Sequence, residues 1–170
     1  MTTSINIIKK AFFIWINIFL HFTFDTSLAF SVSENTRISY IDKLALILVR
    51  NGRQLVARSR GKTVFFTPGG KREPGESDEE ALCRECKEEL TVDLIKSSIA
   101  SYGVFEAQAF GKPEGTKVRM TCYTADYSGT LTPNEEVEEL LWIDSNFARD
   151  KLSVTGLMIL DDLKEKKLIE

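Results

Sequence analysis

The stretch GKREPGESDEEALCRECKEELT, residues 70–91, decides how this chain is read. It opens as loop, because Glu73-Pro74-Gly75 pairs a residue that cannot continue a helix with one that tolerates left-handed backbone. Ser77 to Glu80 then reads S-x-x-E, a capping box, in which serine and glutamate satisfy each other's exposed backbone amides. Asp78, Glu79 and Glu80 place negative charge in the first turn, where the helix dipole favours it. The pattern predicts a helix from Ser77 to about Leu90.

At about 100° per residue, the helix has two distinct faces. With Glu85 at zero, Glu89 lies about 40° to one side and Glu88 about 60° to the other, above the small Ala81. Leu82, Cys86, Leu90 and Cys83 fall on a neighbouring stripe that faces the core. Carboxylates at i, i+3 and i+4 repel by a few tenths of a kcal/mol per pair, and a cation removes that cost. Hard oxygen ligands of this kind suit Mg²⁺, with Mn²⁺ as a substitute. Taken alone, the acidic face reads first as a solvated charge run, because such runs are common.

Outward from the helix, strands predominate. Leu44 to Val49 is a short apolar run bounded by charge, which fits a buried strand. Asn51-Gly52 is a hairpin signal, and Gln54 to Arg58 would pair back. Val64-Phe65-Phe66 runs into Thr67-Pro68-Gly69-Gly70, where the chain leaves the sheet. Thr91-Val92 opens a further β-rich stretch. Val118, Met120 and Cys122 alternate with Arg119, Thr121 and Tyr123, the period of a half-buried strand. Val137 to Ile143 reads as another strand. Leu157, Leu160 and Leu163 mark a terminal amphipathic helix. Strands with two principal helices predict an α/β (α+β) fold, a sheet covered by helices.

The chain has 170 residues, 43% apolar and 28% charged, the composition of one ordinary globular domain. A net charge of −3 provides no broad positive footprint, so stable nucleic-acid binding is not expected. Three cysteines, Cys83, Cys86 and Cys122, are too few for a disulfide framework. Cys83 and Cys86 form a C-x-x-C, but zinc wants four ligands and the one histidine, His21, is remote. They read better as small apolar residues on the buried side of the helix.

Residues 1–36 form a leader apart from the domain at 37–170. Lys9 and Lys10 precede an apolar run from Ala11 to Leu20, and Ser27-Leu28-Ala29 offers small residues for cleavage, the layout of a secretory signal. The run is short for a membrane span. Three readings stay open: a signal or weak anchor, a disordered leader, or a misassigned start. A cytoplasmic location is expected, with export or membrane anchoring through residues 1–30 as the alternative.

Spacing separates an enzyme from a solvated surface. Gly70, five residues, Glu76, seven residues, then Arg84-Glu85-Cys86-Lys87-Glu88-Glu89 fixes six residues. At typical usage such a match arises by chance on the order of once in 10⁷ positions. The pattern resembles the box of the Nudix hydrolase superfamily, G-x5-E-x7-R-E-U-x-E-E-x-G-U, with U apolar. The resemblance covers about residues 39–170, although only the box is specific. Thr91 departs from the family glycine and predicts a different exit from the helix. Cys86 stands where the family is usually aliphatic.

The resemblance implies an α/β/α sandwich with a mixed sheet between helices. It also implies Mg²⁺-dependent cleavage of a diphosphate in a nucleotide or nucleotide conjugate. In that reading Glu85, Glu88 and Glu89 hold the cation, with the Gly70 carbonyl as a further ligand. Arg84 orients the glutamates and Glu76 pairs with it. Glu85 or Glu88 serves as the base, or the second acidic group, Glu135, Glu136, Glu138 and Glu139, supplies it. Arg58, Arg60, Lys62, Lys71 and Arg72 are candidate cations for substrate phosphates. Tyr123 and Phe105 could stack on a base or pack in the core. Residues 107–109 lack the proline of ADP-ribose hydrolysis, and the coenzyme A signature is absent, as is the Trp-Pro-Asp-Asp stretch of oxidised-purine sanitisers. A nucleoside triphosphate, or a nucleoside diphosphate linked to another group, is left as the substrate. A Nudix-fold nucleotide sensor is the reading from another class, and such modules commonly lose box glutamates that are all present here.

Overall fold

The structure is a computed structural model that describes residues 38–109 and 111–170. The leader, and with it the three readings of residues 1–36, lies outside the described residues. Among the described residues no helix is long and apolar enough to cross a membrane.

The chain begins with β1 (Ser39–Leu46), β2 (Val49–Arg50), β3 (Arg53–Ser59) and β4 (Phe65–Phe66). Helix α1 (Asp78–Leu90) follows, then β5 (Asp93–Leu94), β6 (Ala100–Gln108), β7 (Thr116–Thr124), β8 (Tyr127–Ser128) and β9 (Val137–Ile143). Helix α2 (Val154–Glu165) closes the domain. In one sheet β1 runs parallel to β7, which pairs antiparallel with β6. In another, β9 lies antiparallel along one side of β3, with β2 and β4 along the other. β5 and β8 form a small ribbon.

Side-chain alternation along β1 builds two cores. Leu44 and Leu46 face α1 and join Leu55, Ala81, Leu82, Cys86 and Leu90. Ala45 and the following Ile47 face α2 and join Val56, Met120, Cys122, Ile159, Leu160 and Leu163. Helices thus cover both faces of the strands, the expected α/β/α arrangement. Cys86 and Cys122 sit in different cores, and burial pushes both thiols up, Cys122 to about 12.

The hairpin is as the sequence reads, with Asn51 at φ 52° and Gly52 at φ 69°. The strand expected from Leu44 to Val49 is divided. β1 begins at Ser39, because its polar first half pairs with β7 rather than being buried on both sides. It ends at Leu46, whose parallel pairing with Tyr123 is closed by the Ile47 amide donating to the Tyr123 carbonyl at 2.8 Å. Phe105 is half-buried and stacks on Tyr102, with ring centroids 6.4 Å apart, against the α2 core.

Candidate active site

The capping box forms as read from the sequence. The Ser77 hydroxyl oxygen accepts from the Glu80 amide, and the Glu80 carboxylate accepts from the Ser77 amide at 2.9 Å. At the other end, the expectation of a different exit is overturned. Thr91 takes the left-handed conformation of a glycine cap, φ 60° and ψ 20°, and its amide donates to Lys87 O at 3.2 Å. Its hydroxyl finds carbonyl partners beyond the helix, at Thr130 and Thr132, which offset the cost of left-handed backbone for a β-branched residue.

The loop before α1 is fastened to β1. Leu44 N–H donates to Gly70 O at 2.8 Å and Leu46 N–H to Pro68 O at 2.9 Å. The Gly70 carbonyl, a candidate ligand, is therefore held in place by the sheet. Gly70 lies directly over the Glu85 carboxylate, which fills the space a Cβ would take.

Arg84 is the hub of the acidic face. Its Nε donates to Glu76 Oε1 at 2.8 Å, and Nη2 donates to Glu76 Oε2 and Lys71 O at 2.9 Å each. Nη1 donates to Glu85 Oε1 at 3.0 Å and Glu88 Oε2 at 3.1 Å. One rigid guanidinium thus ties the loop to two candidate metal carboxylates. The Arg84 guanidinium holds the Glu76 carboxyl down at about 2, helped by the Glu73 amide.

Glu89 is only 2% exposed, and its Oε2 accepts from the Gly69 amide at 2.7 Å. Burial pushes its carboxyl up to about 8, the Gly69 hydrogen bond opposes this, and the charges of Glu85 and Glu136 add to it. Burial also raises Glu85, against the pull of Arg84. The charge of Glu136 adds a small push to both Glu85 and Glu89. Glu138 and Glu139 instead take Arg58, each with a contact of 2.8 Å.

The candidate substrate cations are placed unequally. Arg58 is engaged by those two glutamates and the Lys62 carbonyl, and sits 5.7 Å from the Phe65 ring centroid. Arg60 donates from Nε to Glu135 O at 3.0 Å. Lys71 is exposed beside the hub. Arg72 pairs with Asp78, whose other oxygen accepts from the Tyr123 hydroxyl at 2.5 Å. Tyr123 is thereby tied to the helix start, with its phenol pushed up to about 12, first by burial and then by that bond. Sequence reading missed Lys43, whose charge lowers the Glu89 carboxyl. The available signal was its place on β1 next to Leu44, the strand partner of Gly70.

The donor set fits a hard divalent cation. Among the described residues no three acidic side chains are drawn into a ready-made cage. Mg²⁺ does not need one, because it binds through one or two carboxylates, water and substrate phosphates. Glu89 and Glu85 are carboxylates held in surroundings that disfavour their charge. A cation supplies the missing counter-charge.

A family model, the NUDIX domain, matches residues 42–155. A CTP pyrophosphohydrolase of Escherichia coli (strain K12) is 30% identical over 107 residues, 60% of this chain and 74% of that protein. A MutT Nudix hydrolase from Burkholderia pseudomallei superposes with a TM-score of 0.61 at 24% identity, covering 72% of this chain and 97% of that one. The E. coli dihydroneopterin triphosphate pyrophosphohydrolase gives 0.59 at 17% identity, with 74% and 95% covered. The box spacing, the carboxylate helix under Gly70 and the matched domain agree, and the chain belongs to the Nudix family of hydrolases.

Proposed function

We propose that this enzyme uses Mg²⁺, or Mn²⁺ in its place, to hydrolyse a nucleoside triphosphate, with a nucleoside diphosphate linked to another group as the related substrate class. The observation that carries the reading is the Arg84 hub, which joins Glu76, Glu85, Glu88 and the Gly70–Lys71 loop in one rigid constellation. The pyrophosphohydrolase relative favours a triphosphate.

Glu85, Glu88, Glu89 and the Gly70 carbonyl would hold the cation. Bound there, it supplies Lewis acidity, lowering the pKa of water and neutralising phosphate charge. Arg84 orients Glu85 and Glu88, and Glu76 orients Arg84. Water attacks phosphorus, the bridging P–O bond breaks, and a carboxylate takes the water's proton. Glu88 and Glu136 are the two best placed to take it, since Glu85 is packed under Gly70 and Glu89 is bonded to Gly69. Lys71 and Arg60, on the rim, would meet the outer phosphates, with Arg58 behind them in its glutamate pair. The partner is a small nucleotide, not a nucleic acid.

Incubation of the full chain with Mg²⁺ and a panel of nucleoside triphosphates and nucleotide conjugates tests this. Release of monophosphate and pyrophosphate from a triphosphate is expected. Binding of nucleotides without turnover on any member would replace the hydrolase reading with a sensor.

A further inference from the structure

The last turn of α1 is closed from outside by a strap, residues 130–136. A helix end leaves four carbonyls without partners inside the helix. Here Glu88 O accepts from the Asn134 side-chain amide at 3.0 Å, and Glu89 O from the Asn134 backbone amide at 3.1 Å. Leu90 O accepts from the Thr132 amide at 3.0 Å. The strap therefore caps the residues that carry the candidate ligands Glu88 and Glu89.

Thr91 holds the same strap from the helix side. Its hydroxyl lies 3.1 Å from Thr130 O and 3.3 Å from Thr132 O, besides 2.7 Å from Leu90 O. A hydroxyl has one proton, so these carbonyls share it. A glycine would make the left-handed exit more easily and would have no hydroxyl to offer.

Beyond Asn134 the strap turns sharply. Glu135 adopts φ 50°, a left-handed conformation that a non-glycine residue holds only when its surroundings enforce it. Arg60 does so from the β3 side, with its amide on Glu136 O at 2.8 Å and its Nε on Glu135 O at 3.0 Å. Fastened at both ends, the strap carries Glu136 two residues beyond the Asn134 bonds to Glu88 O and Glu89 O, with its own carbonyl held by the Arg60 amide, beside the end of α1.

We propose that Thr91 and Asn134 are positioning residues that fasten this strap to the end of α1 and so set the place of Glu136 in the reaction. The kinetic part rests on the hydrolase reading above.

The test compares Thr91→Gly, Thr91→Ser, Asn134→Ala and Glu136→Gln in the full chain. Thr91→Gly and Asn134→Ala should lower kcat about three- to tenfold with KM unchanged, the effect of one lost hydrogen bond. Thr91→Ser should restore it. Amide exchange across residues 131–137 should rise in the Gly and Ala variants and not in the Ser variant. Thr91→Gly added to Glu136→Gln should slow it no further, because both act through one carboxylate. Wild-type kcat in Thr91→Gly or in Glu136→Gln, or multiplying effects in the double variant, overturns the proposal. If the wild type turns over no nucleotide, the hydrolase reading fails by itself, and exchange decides the strap: equal exchange in Thr91→Gly and Thr91→Ser refutes it.

Discussion

The Glu85 carboxylate lies where the Cβ of any residue but glycine at position 70 would stand. Its neighbour Gly69 is constrained differently. A Cβ there would meet the Leu44 carbonyl and the Ala45 Cα, both backbone, and φ is 131°. One glycine makes room for a movable side chain, while the other makes room for the sheet itself.

The two substitutions should therefore separate. Gly70→Ala displaces only the flexible end of Glu85, so stability should fall by less than about 1 kcal/mol, as for a mild local change. Activity should fall at least about a hundredfold, the cost of a displaced catalytic group. Gly69→Ala should cost about 2–4 kcal/mol, because backbone must move and the conformation is strained. Urea denaturation alongside kcat reads both. A strongly destabilised Gly70→Ala would contradict the packing described for Glu85.

Glu88→Gln should lower kcat by orders of magnitude while keeping the fold. The change retains shape and removes one ligand charge, and Arg84 keeps its bonds to Glu76 and Glu85. Near-normal activity with Mg²⁺ would refute Glu88 as a metal ligand.

Much of this site is local enough to read from sequence. The capping box at Ser77–Glu80, the Asn51-Gly52 turn and the strand Val137–Ile143 are signals carried by adjacent residues, and all three form as expected. Strand β6 escapes because its burial does not alternate; among the described residues it pairs with β7 alone, with a register shift between Ser101 and Gly103. A helical projection puts Glu89 on the acidic face but cannot show that the Gly69 loop folds over it. Four acids before Trp142 look alike until β3 supplies Arg58 for the side chains of two of them, and Arg60 takes the backbone carbonyls of the other two. The left-handed turn at Thr91 is hidden from the sequence for the same reason, since the carbonyls that support it, Thr130 O and Thr132 O, are far along the chain.

Glu89→Gln should stabilise the protein measured without divalent cations and abolish most activity. The amide oxygen can keep the Gly69 hydrogen bond, while a buried charge opposed only by the lesser pull of Lys43 is removed. Relief on the order of 1–3 kcal/mol is expected near pH 8, where the carboxylate would otherwise ionise. Thermal unfolding in chelator reads the gain. A loss of stability would mean that the carboxylate is paired in the metal-free protein.

Glu76→Gln tests the Arg84 hub through acid stability. The Glu76 carboxyl is held at about 2 by Arg84, against about 4.3 in an unfolded chain. A depressed carboxylate contributes stability that is complete above the unfolded value and is lost as pH falls through the folded one. The difference in urea midpoint between wild type and Glu76→Gln should thus be constant from about pH 8 to 5 and shrink below about 4.5, nearly vanishing at pH 2. Asp78 and Glu80 are also lowered, by Arg72 and Ser77 respectively, but they are present in both proteins and cancel. At neutral pH the variant should also lose about tenfold in kcat, because Arg84 keeps Glu85 and Glu88 but loses a charged anchor for its Nε. A stability difference that persists unchanged to pH 2 would show that Glu76 contributes through packing, leaving Arg84 to be positioned by the Lys71 carbonyl and its own helix.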